Sequence, residues 1–124
     1  MNVKKTALFI LLLFICSNTS VYAIEAAGVF SIVNDKNKTI ASSEVTFEEG
    51  ESLYEVTKRG FDIEEANGHI IAINGVYSNP KENIHWAAFI NGELVELELK
   101  EVSLFANDQV VWALKNWDKQ EILK

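Results

Sequence analysis

Aromatic side chains around one polar loop are the residues of this chain best suited to hold a ligand. Trp86 opens a five-residue apolar run directly after the loop 77–84, which begins with Tyr77, and Trp117 follows near the C-terminus. A tryptophan beside a polar loop can present its ring face to a planar molecule. Core packing is the alternative, because Trp86 shares one face of the predicted strand with Ala88.

Histidines and cysteines are too few for a metal site of the usual kind. His69 and His85 are the only histidines, and Cys16 is the only cysteine. Structural zinc sites are built from four nitrogen or thiolate ligands at short, regular spacings. The sequence therefore predicts no metal, and both histidines are expected to be partly exposed.

The many carboxylates are read as a solvated surface. Val95, Leu97 and Leu99 alternate with Glu96 and Glu98, and this period of two predicts a strand with one face in water. No Asp-x-Asp-x-Asp-Gly loop supports calcium binding. A minimal hydrolase that uses two facing glutamates is the least favoured alternative.

Signatures of a catalytic nucleophile are missing from the chain. There is no Gly-x-Ser-x-Gly and no phosphate-binding glycine loop, and the one cysteine lies in the apolar N-terminal segment. We therefore expect a protein that is not an enzyme.

The elements that position these residues begin with a hairpin and a helix. Residues 28–33 and 39–47 have short apolar, β-branched patterns around a cluster of turn formers, which predicts two paired strands. Ser52 and Glu55 have the spacing of a capping box, so a helix should begin there. Gly60 is the predicted stop after two to three turns.

Several strands should follow the helix. Residues 68–73, 86–90 and 109–114 are apolar runs, and Asn-Gly pairs at 74–75 and 91–92 interrupt the chain between them. Asn-Gly is typical of tight hairpin turns because both residues tolerate positive φ. Two strands, one helix and further strands predict an α+β, β-rich fold of the β-grasp type, with a mixed sheet on one short helix. The uncovered face of that sheet is the expected place for a ligand or partner.

The N-terminus is that of a secretory signal. Two lysines precede ten apolar residues, and Val21-Tyr22-Ala23 offers a cleavage site after Ala23. Ten apolar residues are about half of the roughly 20 that a membrane-spanning helix needs, so no stable membrane span is predicted. Lipidation at Cys16 is the minority alternative to a secreted or otherwise extracytoplasmic protein.

Residues 24–124 then form one domain with no internal cysteine. Losing Lys4 and Lys5 leaves nine basic against 18 acidic residues, a formal charge of −9. Such a surface repels phosphate backbones, so nucleic acid is not an expected partner. An exported domain of this size without a disulfide favours a bacterial source.

Four sequence elements carry a resemblance to a known family. They are EGESL at 49–53, AINGV at 72–76, HWAAFING at 85–92 and NDQVVW at 107–112. In this order they resemble a bacterial exported domain family of unknown function, related to the C-terminal β-domain of the cobalamin carriers transcobalamin and intrinsic factor. The resemblance covers most of residues 49–117, and residues 24–48 match only as generic strands.

The resemblance implies a corrinoid ligand, such as cobalamin, held by an aromatic strand. It places Trp86, Ala87 and Ala88 at the ligand surface. His85 departs from the glycine usual before that tryptophan, and it is the candidate for an axial ligand to cobalt. The helical domain that completes the cobalamin carriers has no counterpart in this chain.

The prediction is therefore a non-enzymatic, exported small-molecule binding domain that requires no cofactor of its own. Tyr77 is a second aromatic contact, and Asn74 and Asn91 are expected to give hydrogen bonds at the rim of the site. The alternative is a cell-surface or cell-wall interaction domain that contacts a protein or polymer. Convergence of Trp86 and Tyr77 in one concave pocket would favour the small ligand.

Overall fold

The first two strands form the predicted hairpin. A computed structural model describes residues 24–119, in which β1 (Glu25–Val33) pairs antiparallel with β2 (Thr39–Glu48). The Asn34 side chain accepts hydrogen bonds from the backbone N–H of Lys36 and Lys38, which closes the turn. The strand β1 begins three residues earlier than predicted. The signal peptide and Cys16 lie outside the described residues.

One short helix follows the hairpin, as predicted. Helix α1 (Leu53–Gly60) begins after Ser52, whose Oγ accepts the backbone N–H of Glu55 at 3.2 Å. Among the described residues only this arm of the capping box forms. A β-bridge between Ser52 and Ser103 lies beside it, and the backbone N–H groups of Leu53 and Leu104 close that bridge. The helix still gains one side-chain acceptor for its free N–H groups.

Besides β1 and β2, the main sheet contains β6 (Ile84–Ile90), β7 (Glu93–Leu94) and β8 (Gln109–Asn116). Its five strands have the order β2-β1-β8-β6-β7. The central pair β1 and β8 is parallel, while β6 pairs antiparallel with both β8 and β7. An N-terminal hairpin whose first strand runs parallel to the last is the β-grasp arrangement. The predicted α+β, β-rich fold class is confirmed.

A second, three-stranded sheet comes from the middle of the chain. It contains β3 (Ile63–Ala66), β4 (His69–Ile73) and β5 (Val76–Tyr77). Asn-Gly pairs connect these strands at 67–68 and 74–75, with φ values of 52° and 80° and of 50° and 80°. Positive φ at both positions defines a type I′ turn. Only β4 was predicted, because β3 is acidic and β5 has only two residues.

The core lies between α1 and one face of the main sheet. Phe30, Ile32 and Trp112 project from the sheet, and Leu53 and Val56 project from the helix, all of them buried. Full burial of an aliphatic or phenylalanine side chain contributes roughly 1.5–3 kcal/mol. The i, i+3 stripe read from the sequence is therefore the contact face of the helix.

Thr57 and Gly28 show how tightly these layers pack. The Thr57 side chain is completely buried, and its Oγ1 accepts the indole N–H of Trp112 at 3.1 Å. At Gly28 an added Cβ would lie 2.5 Å from the backbone oxygen of Asp108. Only glycine allows that approach of the two backbones.

The strand expected from the alternation at 95–99 does not form. After β7 the chain leaves the sheet, residues 99–101 form a 3₁₀ turn, and Leu97 is 65% exposed. Only the backbone N–H of Val95 still reaches β6, through a 2.8 Å hydrogen bond to the oxygen of Ala88. The two-residue period at 95–99 was therefore wrongly interpreted as a strand.

The two edges of the main sheet differ. The outer edge of β2 is partly occupied, because Arg59 donates to the backbone oxygen of Thr46 and Glu51 accepts the N–H of Glu48. Arg59 also pairs with the Glu51 carboxylate. Such contacts block strand pairing at an edge. The opposite edge, at β6 and β7, is left more open.

Candidate functional site

A groove of about 830 Å³ runs along the open edge of β6. Its walls are the turn 67–69, residues 85–88 of β6 and the segment 94–99, with Trp112 and Trp117 beside them. The expected ligand surface was the uncovered face of the sheet. The groove instead opens at the sheet edge, because the chain diverges from β6 after Val95.

Backbone groups of β6 line this groove without partners. In an antiparallel strand, residues alternate in the side to which their N–H and C=O point. The outward positions are identified by Ile84, which exchanges hydrogen bonds with Asn79 at 2.9 and 3.0 Å, and by Ala88, whose oxygen accepts from Val95. Trp86 lies midway between Ile84 and Ala88, so its backbone N–H and C=O also point outward.

No strand pairing or hydrogen bond within residues 24–119 uses the outward N–H and C=O of Trp86 or the N–H of Ala88. Main-chain groups of this kind are strong and need a partner wherever water is excluded. We call this stretch of β6 edge, with its two donors and one acceptor, the β6 window. It is bounded on one side by Asn79 and on the other by Val95.

Trp86 forms the wall of the groove with its side chain as well. Trp86 is only 9% exposed as a residue, and its indole N–H donates to the backbone oxygen of Val76 at 3.1 Å. This bond fixes the ring between β6 and β5. The ring of Trp86 is therefore largely covered, whereas the sequence also allowed an open stacking face. Ala87 and Ala88 line the groove as well and are buried.

His85 belongs to a polar chain at one end of the groove. Its Nε2 lies 3.1 Å from Oδ1 of Asn83, and Nδ2 of Asn83 donates to Asp118 at 2.8 Å. Since Oδ1 of Asn83 is an acceptor, Nε2 of His85 is the donor, and the lone pair of the neutral ring is on Nδ1. His69 also lines the groove and is exposed.

Trp117 supplies a further polar atom. Its indole N–H is buried and has no hydrogen-bond partner within residues 24–119. The ring lines the same groove. A buried donor of this kind, without an acceptor among the described residues, forgoes a hydrogen bond.

The charge of the groove is negative. Glu96 and Glu98 lie along the segment that forms one wall, and no lysine or arginine is among the lining residues of the described chain. Both carboxylates are exposed, as expected from the sequence. The alternation of Glu96, Leu97 and Glu98 carried no signal of a groove, because it is also the pattern of an ordinary surface strand.

Tyr77 and Asn74 lie outside the groove. Tyr77 is exposed, and its hydroxyl donates to Glu64, which raises the pKa of the phenol. Oδ1 of Asn74 accepts the backbone N–H of Asp62 at 3.1 Å and stabilises the β4–β5 turn. Trp86 and Tyr77 therefore do not converge in one pocket.

Asn91 also lies outside the groove and has a structural contact. Its Oδ1 accepts the backbone N–H of Gln109 and its Nδ2 donates to Asp108, both at 2.9 Å. These bonds join the β6–β7 turn to the start of β8. Of the six predicted ligand contacts, the structure brings together Trp86, Ala87 and His85 along the groove.

Two negative findings apply to residues 24–119. No group of three or more His, Cys, Asp or Glu side chains is arranged to hold a metal ion there. In the same range, no helix combines the length and apolar character that membrane crossing requires.

Residues 50–116, more than half of the chain, match a domain of unknown function, DUF4430. The chain belongs to the DUF4430 family. The match includes the helix, the second sheet and strands β6 to β8. No curated protein sequence matches this DUF4430 chain significantly.

Solved structures show the same fold. Haptocorrin in complex with Cbi superposes with a TM-score of 0.59 and 19% identity, over 76% of this chain and 26% of haptocorrin. A protein from Ruminococcus gnavus, provisionally described as metal binding, gives 0.57 and 14% over 73% of this chain and 97% of its own. The resemblance to transcobalamin-like domains is confirmed. Because both sequence identities are below 20%, the two structures show a shared fold and no shared function. This DUF4430 chain spans about a quarter of haptocorrin.

Proposed function

We propose that this DUF4430 domain is an exported, non-catalytic domain that binds a small molecule in the groove beside β6. The observation that carries the proposal is the β6 window, a stretch of strand edge that stays unpaired within a groove lined by three tryptophans. Ligand sites of this kind combine mainly apolar walls with a few placed polar groups. The groove volume of about 830 Å³ lies in the range of roughly 300–1,000 Å³ typical of such sites.

A corrinoid is the specific ligand we propose. The sequence resemblance to the cobalamin carriers supports it, and so does the shared fold with haptocorrin, which was solved in complex with Cbi. Trp86 and Ala87 would form the contact wall, and His85 would stand at its end. The groove is open on one side, so a macrocycle held there would remain accessible to a second protein that completes the enclosure.

The interaction-domain alternative is less well supported. It requires a flat, exposed aromatic stripe, yet Trp86 is 9% exposed and Tyr77 points away from it toward Glu64. A concave groove at the edge of β6 favours a small ligand over a polymer.

The test is a thermal-shift and absorbance titration of residues 24–124 with cyanocobalamin and dicyanocobinamide. Leu97→Ala should weaken binding about five- to tenfold, because it removes an exposed apolar contact of the groove worth roughly 1 kcal/mol. Phe105→Ala is the matched control, since Phe105 is 51% exposed, against 65% for Leu97, but does not line the groove.

A saturable transition that Leu97→Ala weakens and Phe105→Ala leaves unchanged would support the corrinoid proposal. No saturable change with either corrinoid at millimolar concentration would overturn it and favour the interaction domain. Trp86→Ala is a poor variant for this purpose, because it also opens a cavity in the core.

A further inference from the structure

The β6 window presents a donor and an acceptor side by side. The N–H and C=O of Trp86 point in the same direction, and the N–H of Ala88 is the next donor along the strand. A group that both accepts and donates in one plane can satisfy both groups of Trp86. A carboxamide does so, because it has a carbonyl oxygen and an NH₂ group. A carboxylate only accepts, so its oxygen would face the carbonyl oxygen of Trp86.

The window is too short for a continuous added strand. The bridge of Ile84 to Asn79 closes one end, and the hydrogen bond of Val95 to Ala88 closes the other. Four residues of extended chain span roughly 13 Å at about 3.3 Å per residue. An incoming peptide would have to displace one of these contacts to pair further, whereas a short amide arm fits between them.

The electrostatics also disfavour an acid. Glu96 and Glu98 line the groove beside the window, and among the described residues neither a lysine nor an arginine does. Burial of an unpaired carboxylate next to like charges is unfavourable. A neutral amide avoids this repulsion.

The β6 window thus offers two donors and one acceptor to a ligand, and all three are backbone groups.

We propose that this groove recognises neutral carboxamide groups, through the backbone N–H and C=O of Trp86, and rejects the corresponding carboxylates. The location of the ligand rests on the proposed function, while the amide specificity is a separate property of the β6 window. The specificity requires no corrinoid, so the two proposals can fail separately.

The first test is a ¹⁵N-HSQC titration of residues 24–124 with propionamide and, in parallel, propionate at equal concentration and pH 7. Propionamide should shift the backbone amides of Trp86 and Ala88. Propionate should leave both unmoved. If both compounds shift these signals equally, or if propionamide shifts none of them, the proposal is overturned.

A charge variant tests the rejection of acids. The double substitution Glu96→Gln and Glu98→Gln removes both carboxylates of the wall, and both residues are exposed, so the fold should survive. The variant should bind propionate at least several-fold better than the wild type, with propionamide affected less. Glu93→Gln is the matched control, because Glu93 is exposed and outside the groove lining. An unchanged propionate response in the double variant would contradict the electrostatic part.

Dicyanocobinamide distinguishes the two proposals. If it has no effect while propionamide shifts Trp86 and Ala88, the corrinoid assignment fails and the amide specificity survives. If it binds but the Trp86 and Ala88 amides do not move, a corrinoid binds by other contacts and the amide inference falls.

Discussion

Replacing Thr57 with valine should lower the stability of the domain, because it removes the hydrogen bond by which α1 holds Trp112. Thr57 is completely buried on α1, and its Oγ1 accepts the indole N–H of Trp112, which also lines the groove. Valine keeps the shape of threonine and removes the acceptor. The indole N–H is then left buried without a partner, at a cost of about 1–3 kcal/mol.

The expected loss is measurable. A central value of about 2 kcal/mol corresponds to a fall in Tm of roughly 8–16 °C for a domain of this size. Urea unfolding followed by circular dichroism gives the free energy of unfolding, and differential scanning calorimetry gives Tm. Thr57→Ser is the control, because serine keeps the hydroxyl and loses one methyl group, worth about 1 kcal/mol.

A double-mutant cycle isolates the hydrogen bond. In a Trp112→Phe background the donor is gone, so Thr57→Val should cost less than about 0.5 kcal/mol. If Thr57→Val costs the same in the wild type and in the Trp112→Phe background, the hydrogen bond contributes nothing and the reasoning is refuted.

Two further predictions concern the backbone and the surface. Gly28→Ala should destabilise by about 1–3 kcal/mol, because its Cβ would meet the backbone oxygen of Asp108, whereas Gly60→Ala meets only ordinary contacts and should be tolerated, as thermal unfolding would show. The hydrogen bond from Arg59 lowers the pKa of Glu51, so this pair stabilises the fold above the ordinary glutamate pKa of 4.5 and less as pH falls through the lowered value. Because the pair is partly exposed, Glu51→Gln should lower Tm by only roughly 2–4 °C at pH 7. The difference should shrink as pH falls below 4.5 and through the lowered pKa of Glu51, and a difference that stays constant with pH would contradict the assignment.

Much of the fold follows from local sequence rules. The helix between Ser52 and Gly60 has a side-chain cap and a buried i, i+3 stripe, and the three Asn-Gly turns need positive φ at both positions. These features depend on residues close in sequence. With two strands before the single helix and further strands after it, few sheet topologies are then possible.

The site depended on information that is not local. The period of two at 95–99 predicted a strand, but that segment leaves the sheet, and its departure creates the groove. Asn74 and Asn91 were expected at the rim, yet both amides bind neighbouring backbone, because side chains in tight turns find partners nearby. The sequence alone did not decide whether Trp86 lines the groove or packs in the core, because its hydrogen-bond acceptor is the backbone oxygen of Val76 on another strand.

The β6 window determines how readily its site would be detected by mutagenesis or by comparison of related sequences. Its polar groups belong to the main chain, so they do not depend on the side chains at positions 86 and 88, which are constrained instead by their burial in the core. Scanning mutagenesis with alanine would therefore identify few essential polar side chains for this recognition. A search for invariant polar residues would overlook such a site, whereas changes to the length of the segment 91–99 would abolish it at once.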